Sequence, residues 1–209
     1  MSDPGAAHSL VLASIYRVRD PERMWAQVKE RRAQLAMLGA RHAVVYHSTQ
    51  QPGLVLVTIG VRHREPVTKL MRSPAIREWF DVAGVEDYPM VFAGEMVEKI
   101  NLLAPVDVPP GVVVAVVNTV ESVEGVGAVI RTATHTLRSA GVRKLWTYRA
   151  LDSPREMFVL HEFNDAPHAA DWITCPVAAA SWMPRLVSGP YPPPFVGRLV
   201  DVLSIDAAG

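Results

Sequence analysis

The chain repeats itself. Gly39 and Gly141, Tyr46 and Tyr148, Pro52 and Pro154, Val57 and Val159, and Pro74 and Pro176 are each separated by the same 102 positions. A shift of one then aligns Phe92 with Phe195 and Gly94 with Gly197. A constant offset carried through matching strand and turn signals marks two tandem copies of one unit of about a hundred residues.

The elements of that unit follow from local pattern. Leu10 to Val18 is an aliphatic run of strand length. Asp20-Pro21-Glu22 supplies an N-cap, a first-turn proline and an acid for the helix dipole. Met24, Val28, Leu35 and Leu38 recur at helical spacing, and Gly39 ends the helix. Strands are predicted over His42 to Ser48 and Leu54 to Val61, joined by the turn Gln51-Pro52-Gly53. A helix over Pro66 to Ala83, broken before Pro74, and a strand over Met90 to Ile100 complete the copy. Leu103 to Gly111, with three prolines and a glycine, reads as a linker. The pattern then restarts: strand Val112 to Val120, helix Val123 to Ala140, strands Lys144 to Ala150 and Glu156 to Phe163 about the Ser153-Pro154 turn, helix Ala166 to Val187 broken at Pro176, and strand Val196 to Ile205. The organisation is a tail over 1–8, a first repeat over 9–102, a linker over 103–111 and a second repeat over 112–205.

A β-α-β-β-α-β order builds a four-stranded antiparallel sheet with both helices on one face, an α+β class. The other face is apolar and open, which is unfavourable at about 25 cal/mol per Å². Packing two open faces together removes the penalty, and tandem copies can do so within one chain. The space between the sheets is then where a ligand pocket is expected.

The run Leu160-His161-Glu162-Phe163-Asn164-Asp165-Ala166-Pro167-His168-Ala169-Ala170-Asp171-Trp172, followed by Cys175-Pro176 and Trp182, is matched in the first half by Met71-Arg72-Ser73-Pro74 and Trp79. A strand, a polar turn, and a helix with a small residue–proline step and a later aromatic resemble the dimeric α+β barrel (ferredoxin-like) superfamily, more loosely its antibiotic-biosynthesis-monooxygenase-like members. The resemblance implies an intrachain barrel. It leaves open whether the chain is a monomer or a homodimer, and it implies a shared fold far more than a shared reaction.

Charge excludes some functions. Lysine plus arginine equals aspartate plus glutamate at 21 each, so no basic footprint for nucleic acid or an anionic membrane exists. The local Lys29-Glu30-Arg31-Arg32 cluster reads as the solvated face of a helix. Cys175 stands alone, so neither an intrachain disulfide nor a cysteine metal cluster can form. Met1 to His8 lacks the form of a secretory signal, and the longest apolar run, near Val112 to Val117, falls far short of a membrane helix. A cytoplasmic protein is expected.

Strand alternation nominates the site. Val11, Ala13 and Ile15, with Val113, Ala115 and Val117, form small apolar rows suited to lie under helices. The opposite rows carry Ser14, Tyr16 and Asn118 and are expected to face the inter-sheet pocket, or else to satisfy backbone at strand ends. His161, on the row of Val159, replaces the first repeat's Ile59 and is either a general base or a buried histidine held by backbone; Glu162 points the other way. Tyr46 and Tyr148, with Trp146 on the row of Tyr148, either line the pocket or pack the two units. Trp79, Trp172 and Trp182 read as helix core. No metal-ligand spacing, nucleophile elbow or phosphate loop occurs.

Three functions compete. The first is a cofactor-independent, monooxygenase-like enzyme for a small apolar or aromatic molecule, with His161 as base and Tyr16 and Asn118 orienting. The second is a non-catalytic small-molecule-binding or assembly protein with the same cavity. The third is haem binding, carried by the helical His135 and by the superfamily's haem-binding relatives.

Overall fold

In a computed structural model, residues 10–87, 89–103, 111–120, 125–174 and 193–205 are described. The expected N-terminal tail, most of the linker, the first residues of the helix expected from Val123, and Cys175, Pro176, Trp182 and the rest of that last helix lie outside them.

The first repeat is β1 (Leu10–Arg17), α1 (Pro21–Glu30), α2 (Arg32–Met37), β2 (Ala40–Ser48), β3 (Leu54–Val61), α3 (Arg64–Met71), α4 (Ala75–Ala83) and β4 (Met90–Asn101). The second is β5 (Val112–Thr119), α5 (Val126–Thr132), α6 (Thr134–Ser139), β6 (Val142–Ala150), β7 (Glu156–Phe163), α7 (Ala166–Thr174) and β8 (Phe195–Ser204). Asp20 caps α1 as its sequence predicts, its carboxylate accepting from the Arg23 N–H at 2.9 Å. Gly39 and Gly141 both hold left-handed φ values, 76° and 82°, where the chain turns from helix into strand. The first and third expected helices are each split, at Arg31 and Ala133. The second breaks ahead of α4, with Pro74 at its N-cap.

The chain forms two compact units, residues 1–95 with 200–209 and residues 96–199, so the boundaries fall inside β4 and β8 rather than between repeats. The physical reason is strand length: β4 and β8 outlast the pairing partners within their own repeats. In the first unit the antiparallel order is β4-β1-β3-β2. The chain's last described residue, Ile205, donates its N–H to the Arg41 carbonyl at 2.8 Å. In the second the order is β8-β5-β7-β6, and the end of β4 is bound there through the Leu102 N–H to the Arg143 carbonyl at 2.7 Å.

Each unit buries its helices on one face of its sheet. In the first, Met24, Trp25 and Val28 of α1 and Phe80 of α4 pack on Tyr16, Val45, Val55 and Val57. In the second, Val126, Ile130, Leu137 and Trp172 pack on Val112, Val114, Val116, Leu145, Val159 and Phe163. Among the described residues no helix is long and apolar enough to cross a membrane.

Candidate functional site

The helix-side row of β1 is Leu12, Ser14 and Tyr16, and this corrects the expectation that Ser14 and Tyr16 face a space between sheets. Tyr16 belongs to the helix-packed core of its unit and donates its hydroxyl to the Met24 sulfur of α1 at 3.4 Å. Val11 and Ala13, expected under helices, are buried on the opposite face. Alternation separates two rows reliably, but both rows here are rich in apolar residues, and alternation says nothing of which one the helices cover.

Over that row lies a cavity of about 340 Å³. Its floor is Leu12, Ser14, Tyr16, Val57, Ile59 and Val91, and helices α1 to α4 wall it with mainly aliphatic and aromatic side chains, Trp79 and Phe80 among them. Ser14 is the small residue of that floor. The second repeat carries the bulkier Val116 at that register, 102 positions on. Arg31 and Gln34 line one side. Arg31, counted from sequence among solvated charges, sits at the one-residue break between α1 and α2, and its guanidinium lies 4.7 Å from the Trp79 ring centroid. Trp79, expected as helix core, packs against the core and also lines the cavity. Burial pushes the Tyr16 phenol well above its usual range, so it is a neutral donor at any ordinary pH. Its partner sulfur is a weak acceptor, so that bond holds the hydroxyl only weakly. Two other depressions of this unit, about 480 and 580 Å³, are larger but bordered by exposed charges such as Arg19, Glu86, Arg77 and Asp81.

The other nominated residues separate. Asn118 and His161 also stand on a helix-covered face, that of the second unit: Asn118 is opposite Met157 and His161 opposite Val114, both core residues. His161 is 1% exposed, with its ring 5.3 Å from Trp172 and 6.5 Å from Phe163. Burial pushes its pKa down to about 4, against the opposing effect of a hydrogen bond to the Val114 backbone. It is therefore neutral at pH 7 and a weak base. Thr147, which sequence reading passed over, lies on the same face opposite Val159. The Asn118 Oδ1 and Thr147 Oγ1 atoms are buried without a hydrogen bond among the described residues. Their signal was a polar residue where the first repeat has an apolar or aromatic one, Val45 for Thr147 and Tyr16 for Asn118.

Tyr46, Trp146 and Tyr148 occupy the sheet faces away from the helices, opposite Leu56, Leu160 and Phe158. Tyr148 packs with Phe158 at 6.1 Å between ring centroids, and burial pushes its phenol up to about 12. Glu162 shares that face, as expected, so it is no partner for His161. It is 2% exposed, 3.8 Å from both the Arg143 guanidinium and the Lys144 ammonium, and burial raises its pKa against their attraction. Among the described residues no group of three metal-ligating side chains converges. His135 is exposed on α6, and no histidine lines the cavity at Ser14 and Tyr16, so the described residues do not present an axial haem ligand to it.

The sequence matches no family profile and no curated protein. Solved structures do match over nearly the whole chain. An anthrone oxidase-like protein has 13% identity and a TM-score of 0.68, covering 95% of this chain and 94% of its own. A candidate monooxygenase from Fusobacterium nucleatum has 8% identity and a TM-score of 0.60, covering 95% of each chain. A haem-binding protein from Thermus thermophilus has 16% identity and a TM-score of 0.55, covering 93% of this chain and 92% of its own. These likenesses show the fold, the dimeric α+β barrel class with both β-α-β-β-α-β units in one chain. At such identities they show the fold alone.

Proposed function

We propose that the protein binds a small, flat, largely apolar molecule in the helix-side cavity of its first unit and oxidises it with dioxygen in a cofactor-independent, monooxygenase-like reaction. The observation that carries this is an apolar cavity of about 340 Å³ whose sheet floor sets Ser14 and Tyr16 among aliphatic and aromatic side chains. That volume lies in the range of small-molecule sites, and a few placed polar groups in apolar walls are what such sites require. The likeness in fold to an anthrone oxidase-like protein supports an anthrone as the first substrate to try.

The chemistry assigned to these residues is modest. The Tyr16 hydroxyl donates to the substrate's carbonyl oxygen and stabilises the enolate left when a methylene proton departs. Among the described lining residues none is a histidine or carboxylate, and water is the proton acceptor in this reading. The enolate gives an electron to dioxygen, and recombination forms a C–O bond. The resulting hydroperoxide loses water, taking the second C–H hydrogen and breaking O–O. Anthrone plus dioxygen becomes anthraquinone plus water, with no external reductant. His161, buried in the second unit, is assigned to packing rather than to proton abstraction.

The test is anthraquinone formation from anthrone in air, with wild type beside Ile59→Trp, which fills the cavity. Turnover above the protein-free rate that Ile59→Trp loses is expected. Equal rates for wild type and the filled variant would refute the site. Binding of anthrone by calorimetry without turnover would replace the enzyme with a binding protein.

A further inference from the structure

We infer that the ligand of this cavity carries an anionic oxygen, a carboxylate or an ionised phenol or enol, and that Arg31 is the residue that selects it. The inference rests on the cavity being the ligand site and adds the ligand's charge. Arg31 is the one charged side chain among the cavity's described lining residues. Its position is set by the backbone: it caps the end of α1 and the start of α2, the single-residue break that turns its side chain toward α4.

Two features mark the guanidinium as a ligand group. Its central carbon lies 4.7 Å from the Trp79 ring centroid, a cation–π distance that ties the side chain to the cavity wall while its N–H groups can still hydrogen-bond. Among the described residues no carboxylate pairs with it, whereas Arg17, Arg19, Arg131 and Arg143 each have one within 4 Å. An arginine lining an apolar cavity, held over an aromatic ring and without a counter-ion among the described residues, suits an anionic oxygen: a carboxylate on two N–H groups, or a phenolate on one. Gln34, a turn further along the same wall, offers a neutral amide to a second ligand oxygen.

The charge also has a role in the proposed reaction. An ionised phenol or enol held by Arg31 is the electron-rich form that reacts with dioxygen, so selecting the anion selects the reactive state.

The experiment is calorimetric titration with 2-naphthoate and its neutral isostere 2-naphthamide at pH 7, in low and high salt. Naphthoate should bind about ten-fold tighter or better at low salt, from one charge-assisted hydrogen-bonding pair, and salt should erode that preference alone. In Arg31→Met, with its thermal melt recorded as the measure of folding, the ratio between the two ligands should fall to near one. Equal affinity of wild type for both compounds overturns the anion assignment and leaves the cavity reading intact. A naphthoate preference that persists in a folded Arg31→Met protein overturns the role of Arg31. If neither compound binds, the cavity reading fails and this inference with it.

Discussion

Replacing His161 by isoleucine, the residue the first repeat holds at the equivalent Ile59, should remove an acid-sensitive part of the protein's stability. The ring is 1% exposed and its pKa is pushed from 6.5 to about 4 by burial. Above pH 6.5 it is neutral whether the chain is folded or not and contributes nothing to pH dependence. Between 6.5 and about 4 only the unfolded chain takes up the proton, so stability falls as pH falls, by at most about 1.4 kcal/mol per pH unit. Below about 4 the loss is complete at about 3 kcal/mol. That is a large fraction of the roughly 5–15 kcal/mol that a domain has in hand. Glu162 acts in the opposite sense, since its raised pKa lets the folded state take up a proton first. It is common to both proteins and cancels in the difference. The assay is urea unfolding of wild type and His161→Ile at intervals from pH 7.5 to 4.5. The gap between them should move in favour of the variant as pH drops, tracing one proton. A gap that stays constant over that window would mean that the ring titrates in the folded protein, and the burial argument would be wrong.

Gly141→Ala should lower the melting temperature more than Gly39→Ala. Both positions have a left-handed φ, but a Cβ at 141 would lie 2.6 Å from the His168 ring against 3.2 Å from the His63 ring at 39, so about 1–2 kcal/mol is expected at 141; thermal melts of the two variants decide it. Asp201→Ala should cost about 1–2 kcal/mol, because the Trp25 indole N–H, on a residue 4% exposed, loses its 2.8 Å bond to that carboxylate. A double-mutant cycle with Trp25→Phe in urea unfolding measures the coupling, and a cycle that closes to zero would remove the bond from the account.

The repeat offset, the turn signals and the strand runs were readable because they rest on local chemistry. A proline cannot continue a helix, a glycine alone takes a left-handed φ cheaply, and a strand shows its two faces by alternation. Leu54–Val61 and Glu156–Phe163 run where their residues put them, and the Pro74 break falls as expected. The equivalence of Tyr46 and Tyr148 in the two repeats, and the placing of Trp146 and Tyr148 on one row, were likewise legible.

The tertiary structure alone decided which row the helices cover. Ser14 and Tyr16 were correctly grouped away from Val11 and Ala13, and Asn118 from Val113 and Ala115, yet these three, like His161, lie beneath helices rather than on the open face. Both rows of β1 and β5 are apolar enough to be buried, so hydrophobicity has no preference between them, and only helix packing breaks the tie. For the same reason sequence missed the cavity's walls. Arg31 reads as one more charge on a solvated helix until the break after α1 turns it onto Trp79, and Trp79 reads as core until the space over Ser14 leaves one side of it open. Local rules place residues on faces and in turns. Which faces meet, and what gap they leave, depends on side chains far apart in the chain arriving at one place.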